Sequence, residues 1–258
     1  MNNILAVAQI VIKELYRRKD AYVLFILTVL ICLVMASVNI FHDDKIIRYL
    51  KEICLLLIWI CSLVIAITTT ARQIPMEREN RTLFPLLAKP LSRTQLLLGK
   101  FLGCWLACGL CLVVFYTFFG LLAASREHHW PLTIYFQAIG LHWAMLAVVV
   151  AMTLLGSLVF AAPSSTNTII VVVVTFILVL GRHLNVVAMR MPEPRRDILY
   201  GLYFIIPHLE LFDVRDLIIH DWPPIAWKVW ALADLYAAAY AAVFLLAACL
   251  LFRRKAIN

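Results

Sequence analysis

The run FLGCWLACGLCLVVFYTFFGLLAAS, residues 101–125, has 25 residues and no formal charge. About 20 apolar residues suffice to cross the hydrocarbon core of a bilayer. Five further runs of comparable kind flank it. Upstream lie 53–71 and 21–41, both without a charge. Downstream, residues 132–161 are interrupted only by His142. Runs ending near 182 and 252 complete the set. The spans expected around these runs are 21–41, 53–71, 97–125, 132–161, 164–182 and 229–252. The fold class is therefore all-α and polytopic, a single transmembrane domain over 1–258.

Composition agrees. The chain of 258 residues is 64% apolar and 15% charged, against about 25% charged in a soluble domain. A soluble fold of this size needs more polar surface, which excludes a soluble enzyme, a disordered chain and a DNA-binding domain. The net charge of +8 falls between apolar runs, where it sets orientation in a membrane rather than nucleic-acid affinity. The longest segments between runs, 72–100 and 182–228, are too short for a large soluble domain. The first run exceeds the ~7–15 residues of a signal-peptide core, and no small-x-small cleavage site follows it. It is expected to be retained. All seven cysteines lie within spans, so there is no extracytoplasmic disulfide framework.

Thirteen Lys and Arg fall beside the odd-segment side of the spans and four in the two short opposite loops. The positive-inside rule then places both termini and loop 72–96 in the cytoplasm.

Residues 1–19 read as an amphipathic interfacial helix, with Ile4, Ala8, Val11 and Leu15 on one face and Arg17-Arg18-Lys19 at its end. Loop 72–96 alternates charges and then carries Leu83, Leu86 and Leu87 on a short helix over 82–88, with prolines at 75, 85 and 90. Such a segment suits a groove on a cytoplasmic partner, or packing on the headgroups. Ser92 with Gln95 forms a capping-box signature for the next helix. Gly99, Gly103 and Ala107 make a small-residue stripe for close helix packing. Cys104, Cys108 and Cys111 form an adjoining stripe with spacing for a soft metal such as Cu(I). With no Cys-x-x-Cys or Met-x-x-Met beside them, packing is the favoured reading, and no metal site is expected. The pair His128-His129 is read as surface loop, and 162–167 as a tight polar turn. In the outer segment 183–228, the apolar stretch 198–206 is too short to cross and reads as interfacial or re-entrant. Trp222, Trp227 and Trp230 mark the interface before the last span. His142 and Asp234, inside the fourth and near the outer end of the sixth span, are the candidate polar residues of a pathway.

No phosphate-binding P-loop, His-Glu-x-x-His or Gly-x-Ser-x-Gly occurs. An intramembrane protease of the CAAX type is rejected. Phe204 and His208 fit one of its motifs, but Arg78 separates Glu77 from Glu79, and the two regions lie on opposite sides of the membrane.

The stretch ERENRTLFPLLAKPLSRTQLLLGKFLG, residues 77–103, resembles the ABC-2 type permeases, and among them those of the copper-enzyme-maturation type. The resemblance extends to the N-terminal helix, the six spans, the outer segment before the sixth and the basic tail. Where the family usually has Gly before Thr82, this chain has Arg81. The resemblance implies a transmembrane subunit of an ATP-driven exporter in a bacterial or archaeal inner membrane. It implies a second permease subunit, identical or related, a dimer of separate cytoplasmic ABC ATPases that hold the ATP and Mg, and room for a periplasmic accessory protein. The chain itself is not expected to be an enzyme or to hold a cofactor. Loop 72–96 would be the coupling loop, with Glu77, Glu79, Arg81, Thr82, Leu83, Leu86 and Leu87 at or near the ATPase contact and 162–167 as a smaller second contact. The alternatives are an ATPase-driven scaffold or mechanotransmitter that moves no substrate and, more remotely, an intramembrane enzyme.

Overall fold

A computed structural model describes residues 2–17, 22, 26, 28–30, 33, 44–79, 92–127, 131–160 and 162–254. Most of the expected first span, the loop helix 82–88 with Arg81, Thr82, Leu83, Leu86 and Leu87, and His128–Trp130 lie outside the described residues. Every regular element among the described residues is helical: α1 (Asn2–Arg17), α2 (Asp44–Ala71), α3 (Pro75–Glu79), α4 (Arg93–Glu127), α5 (Leu132–Val159), α6 (Pro163–Met189), α7 (Arg195–Ile205), a 3₁₀ turn (Leu209–Phe212), α8 (Arg215–Ile219) and α9 (Trp227–Arg254). Five stretches are long and apolar enough to cross a membrane: Lys51–Glu79, Arg93–Ser125, Leu132–Val159, Pro163–Gly181 and Trp227–Arg254. The protein is an all-α, multi-pass membrane protein.

α5 is the central helix. It touches α2, α4, α6 and α9, and its middle turns, including Leu146, Val149, Val150 and Leu154, are fully enclosed. A helix apolar on all sides belongs inside such a bundle. α6 and α9 lie at the margin. Val172, Val179, Leu235 and Leu246 stay exposed, as side chains facing acyl chains can without cost.

Several boundaries differ from those expected. α2 begins at Asp44, more than two turns before residue 53. α4 begins at Arg93, where Gln95 N–H donates to Ser92 Oγ (3.2 Å) and Ser92 N–H to Gln95 Oε1 (3.0 Å). That is the reciprocal capping box its sequence signals. Residues 164–167, read as a polar turn at the start of the expected span 164–182, form the first turn of α6. Pro163 occupies the opening position, where its fixed φ suits a helix and its missing N–H costs nothing. α6 then continues to Met189, past the expected end at 182. The stretch 198–206 is largely α7, which lies against α6 and leaves Ile198, Phe204 and Ile205 exposed.

The far, tryptophan-rich end is closed by side chains bound to backbone. The amide of Gln137, wholly buried, donates to Ile225 O (2.8 Å) and accepts from Ile225 N (2.9 Å). Trp230 Nε1 donates to Gln137 O at 3.2 Å. Lys51, 3% exposed, donates to Ile218 O (3.2 Å) and pairs with Asp221 (3.3 Å). The connection before α9 is thus held on α2 and α5, with Leu209 and Phe212 buried beneath it.

Candidate coupling site

At the opposite, basic end, the last turns of α2 run through a bonded turn into α3. Lys100 of α4 reaches this turn from within. Its Nζ lies 2.6 Å from Glu77 Oε1 and 3.0 Å from Gln73 Oε1. Gln73 Nε2 in turn reaches Thr69 O at 3.4 Å. The Lys100 side chain is 4% exposed and that of Glu77 19%. A cation this buried needs a close anion, because desolvation of a lone ammonium costs several kcal/mol. Glu77 is therefore turned inward as the tie between α3 and α4. Glu79, two residues on, is exposed, and it is the last described residue before the loop.

A second tie joins the same end of α4 to α9. Arg93 Nη1 donates to Phe252 O at 2.8 Å, and its guanidinium sits 5.7 Å from the Phe252 ring centroid. A cation on the terminal carbonyls of α9 meets the negative end of that helix. α3 and α9 thus converge on the first two turns of α4. The sequence carried one signal for this. Lys100 is a charge inside the expected span 97–125, and such a charge needs a partner.

The small-residue stripe packs on the N-terminal helix. A Cβ at Gly99 would stand 2.6 Å from Val7 Cβ and 2.9 Å from Ile4 O; one at Gly103 would stand 2.7 Å from Val11 Cβ and 2.9 Å from Ala8 O. α1 therefore runs beside α4 in the same direction, burying Val7, Ala8, Val11 and Leu15. Ala107, also buried, continues the line. Farther along, Trp105 and Trp143 stack at 4.4 Å, and each indole N–H donates to the other's backbone carbonyl at 3.0 Å. Gly109 leaves the space for Trp143.

His142 is 2% exposed and fully bonded. Ser62 Oγ donates its one proton to Trp59 O at 2.9 Å, so at 2.8 Å it accepts from His142 Nε2–H. His142 Nδ1 then accepts from Tyr116 O–H at 3.3 Å. Three helices share this neutral network. Arg215 lies 5.3 Å from the centroid of the Trp59 ring and makes two 2.8 Å bonds to Asp213. Those bonds raise the guanidinium above its ordinary value. Asp234 is not part of this network. Its Oδ1 is buried with no hydrogen-bond partner among the described residues, and His142 and Asp234 are not bonded to each other. Cys104 and Cys108 are buried in packing along α4 and Cys111 half-buried. Among the described residues no three His, Cys, Asp or Glu side chains gather as a metal site.

A family profile described as "ABC-2 family transporter protein" matches residues 6–256. No curated protein matches the chain.

Proposed function

The chain belongs to the ABC-2 family of transporter proteins, and from that premise we propose that it is the transmembrane subunit of an ATP-driven exporter in a bacterial or archaeal inner membrane, with both termini cytoplasmic. It works as a homodimer or as a pair with a related permease. A dimer of separate ABC ATPases binds and hydrolyses ATP with Mg on the cytoplasmic side, so this chain is no enzyme and needs no cofactor. The ATPases dock on the segment that begins at Glu79 and continues through Arg81, Thr82, Leu83, Leu86 and Leu87, with the start of α6 as a smaller contact.

The observation that supports this division of labour is the Lys100–Glu77 pair at 2.6 Å. One acidic residue of the motif is tied into the bundle and the other is exposed beside the loop. A push on the loop is carried by Glu77 to Lys100, hence to α4 and, through Arg93, to α9. This is rigid-body coupling through packed elements. Two families of access, inward and outward, would then differ in how α4 and α9 sit against α5.

The test is co-purification with an ABC ATPase co-expressed from the same source. Glu79→Lys reduces recovery of the ATPase while membrane insertion is unchanged. Equal recovery would remove Glu79 from the contact.

A further inference from the structure

Two ionisable side chains are buried where α6, α7, the 3₁₀ turn and α9 meet. His208 precedes the 3₁₀ turn and Glu210 lies in it. Their side chains are 13% and 12% exposed. The Glu210 carboxylate rests on Gly181 of α6, where a Cβ would stand 2.7 Å from Oε2 and 2.8 Å from Oε1. The backbone N–H of His208 donates to Tyr236 Oη of α9 at 3.0 Å, and its ring centroid lies 4.2 Å from that of Tyr203 on α7. One turn farther along α9, Tyr240 Oη donates to Phe204 O at 3.2 Å. α7 packs chiefly on α6. The pair thus sits at the root of α7, where its state decides how firmly α7 is held.

The pair is incompletely satisfied. His208 Nδ1 and Glu210 Oε1 are 3.3 Å apart, longer than the ~2.7–2.9 Å of a charged hydrogen bond. Neither Nδ1 nor Oε2 has a hydrogen-bond partner among the described residues. The surroundings supply tyrosines rather than a counter-charge. The charged residues of α7, Arg195, Arg196 and Asp197, lie in its first turn, at the far end of that helix. On α6, Arg182 and His183 follow Gly181 about 100° and 200° farther round the helix. On α9, Asp234 lies about 200° round from Tyr236. α5 carries only Tyr135 and His142 as titratable groups, and His142 is bonded in its own network. Asp213 and Arg215, next along the connection, neutralise each other.

With a neutral imidazole and an ionised carboxylate, the pair holds one uncompensated negative charge, which burial penalises. One added proton brings the pair to zero net charge and belongs to the pair rather than to either residue. Histidine is the side chain whose charge ordinarily changes between about pH 5 and 8. We infer that His208 and Glu210 form a proton-binding site, and that the bound proton latches α7 and the 3₁₀ turn onto α6 and α9. The proton-bound pair is the tied one, so the latch holds at acid pH and loosens as pH rises. The site stands apart from the ATPase contact, and its test needs no ATPase.

Hydrogen–deuterium exchange of the purified full chain in nanodiscs reads the latch at about pH 5.5 and about pH 8, near the two ends of the histidine range, with labelling times scaled to the intrinsic exchange rate. In the wild type, protection of the amides of 199–212 falls at least about threefold from the lower to the higher pH, and by no more than about tenfold per pH unit, the limit for one proton. The α5 amides of 145–154 keep theirs. Glu210→Gln removes the charge at nearly constant shape and makes the protection of 199–212 independent of pH. His208→Asn keeps a hydrogen-bond donor and does the same. Protection of α5 reports that each variant is folded, and the wild-type comparison stands without them. A wild type with no pH dependence in 199–212, or a dependence that persists in either variant, would overturn the proton site. A dependence shared equally by α5 would overturn the latch.

Discussion

Adding one methyl group at Gly103 should lift α1 off α4. The new Cβ would stand 2.7 Å from Val11 Cβ and 2.9 Å from the Ala8 carbonyl. Carbon atoms prefer about 3.5–4.0 Å, so the overlap is near 1 Å. Part of it falls on backbone, which cannot rotate away as a flexible side chain can. The helix-propensity gain of Ala over Gly, about 1 kcal/mol, acts on α4 whether or not α1 is docked, and so leaves docking unchanged. Overpacking of a close interface costs about 1–3 kcal/mol, which converts to about fivefold to 150-fold in the docking equilibrium. The upper limit is the whole docking energy of Val7, Ala8, Val11 and Leu15, since α1 can simply leave. Hydrogen–deuterium exchange in detergent or nanodiscs reads this directly. Gly103→Ala should lower protection of the α1 amides by that factor, and Gly99→Ala with Gly103→Ala should lower it further. Gly201→Ala is the control, because nothing lies within 4 Å of its Cβ position. Unchanged α1 protection in the double variant would refute the close approach.

Lys100→Met leaves Glu77 without its cation. It should destabilise the protein by about 2–4 kcal/mol, somewhat under the ~3–5 of a fully buried broken pair because Glu77 keeps partial exposure. Thermal unfolding measures it, and adding Glu77→Gln should restore part of the loss. Ser92→Ala removes the capping box of α4 and should cost about 1 kcal/mol by the same assay. His142→Leu strands the Tyr116 hydroxyl and should cost about 1–3 kcal/mol; Tyr116→Phe in that background should then add little, and a fully additive loss would argue against their bond.

Five of the expected spans were legible because lipid leaves few alternatives. A run of 18 or more apolar residues must be helical to satisfy its own backbone. The capping box of α4 was legible for a similar reason: both partners lie within one turn. The polar contacts were harder to read, since their partners come from distant segments. His142 meets Ser62 and Tyr116 from 80 and 26 residues away, and no spacing rule points to either. Lys100 reads only as one of the cytoplasmic basic residues; the alternating charges of 77–81 offer it both Glu77 and Glu79, and only the packing of α3 selects Glu77. The stripe Gly99, Gly103 and Ala107 signalled close approach without saying to what. It meets α1 because the apolar face of that helix has the same four-residue step. The polar stretch 163–167 is helical from Pro163 onward, one residue before the expected start of the span; its polar residues masked the helix-starting role of Pro163.

The central claim is that an ABC ATPase engages the segment beginning at Glu79. A photo-crosslinkable residue at position 79, with an ABC ATPase from the same source co-expressed, tests it most directly. The account predicts a crosslink to the ATPase from position 79 and none from position 198, on α7 at the far end of the bundle. Crosslinking from 198 but not from 79, or a complex that forms with no contact at 79, would contradict it.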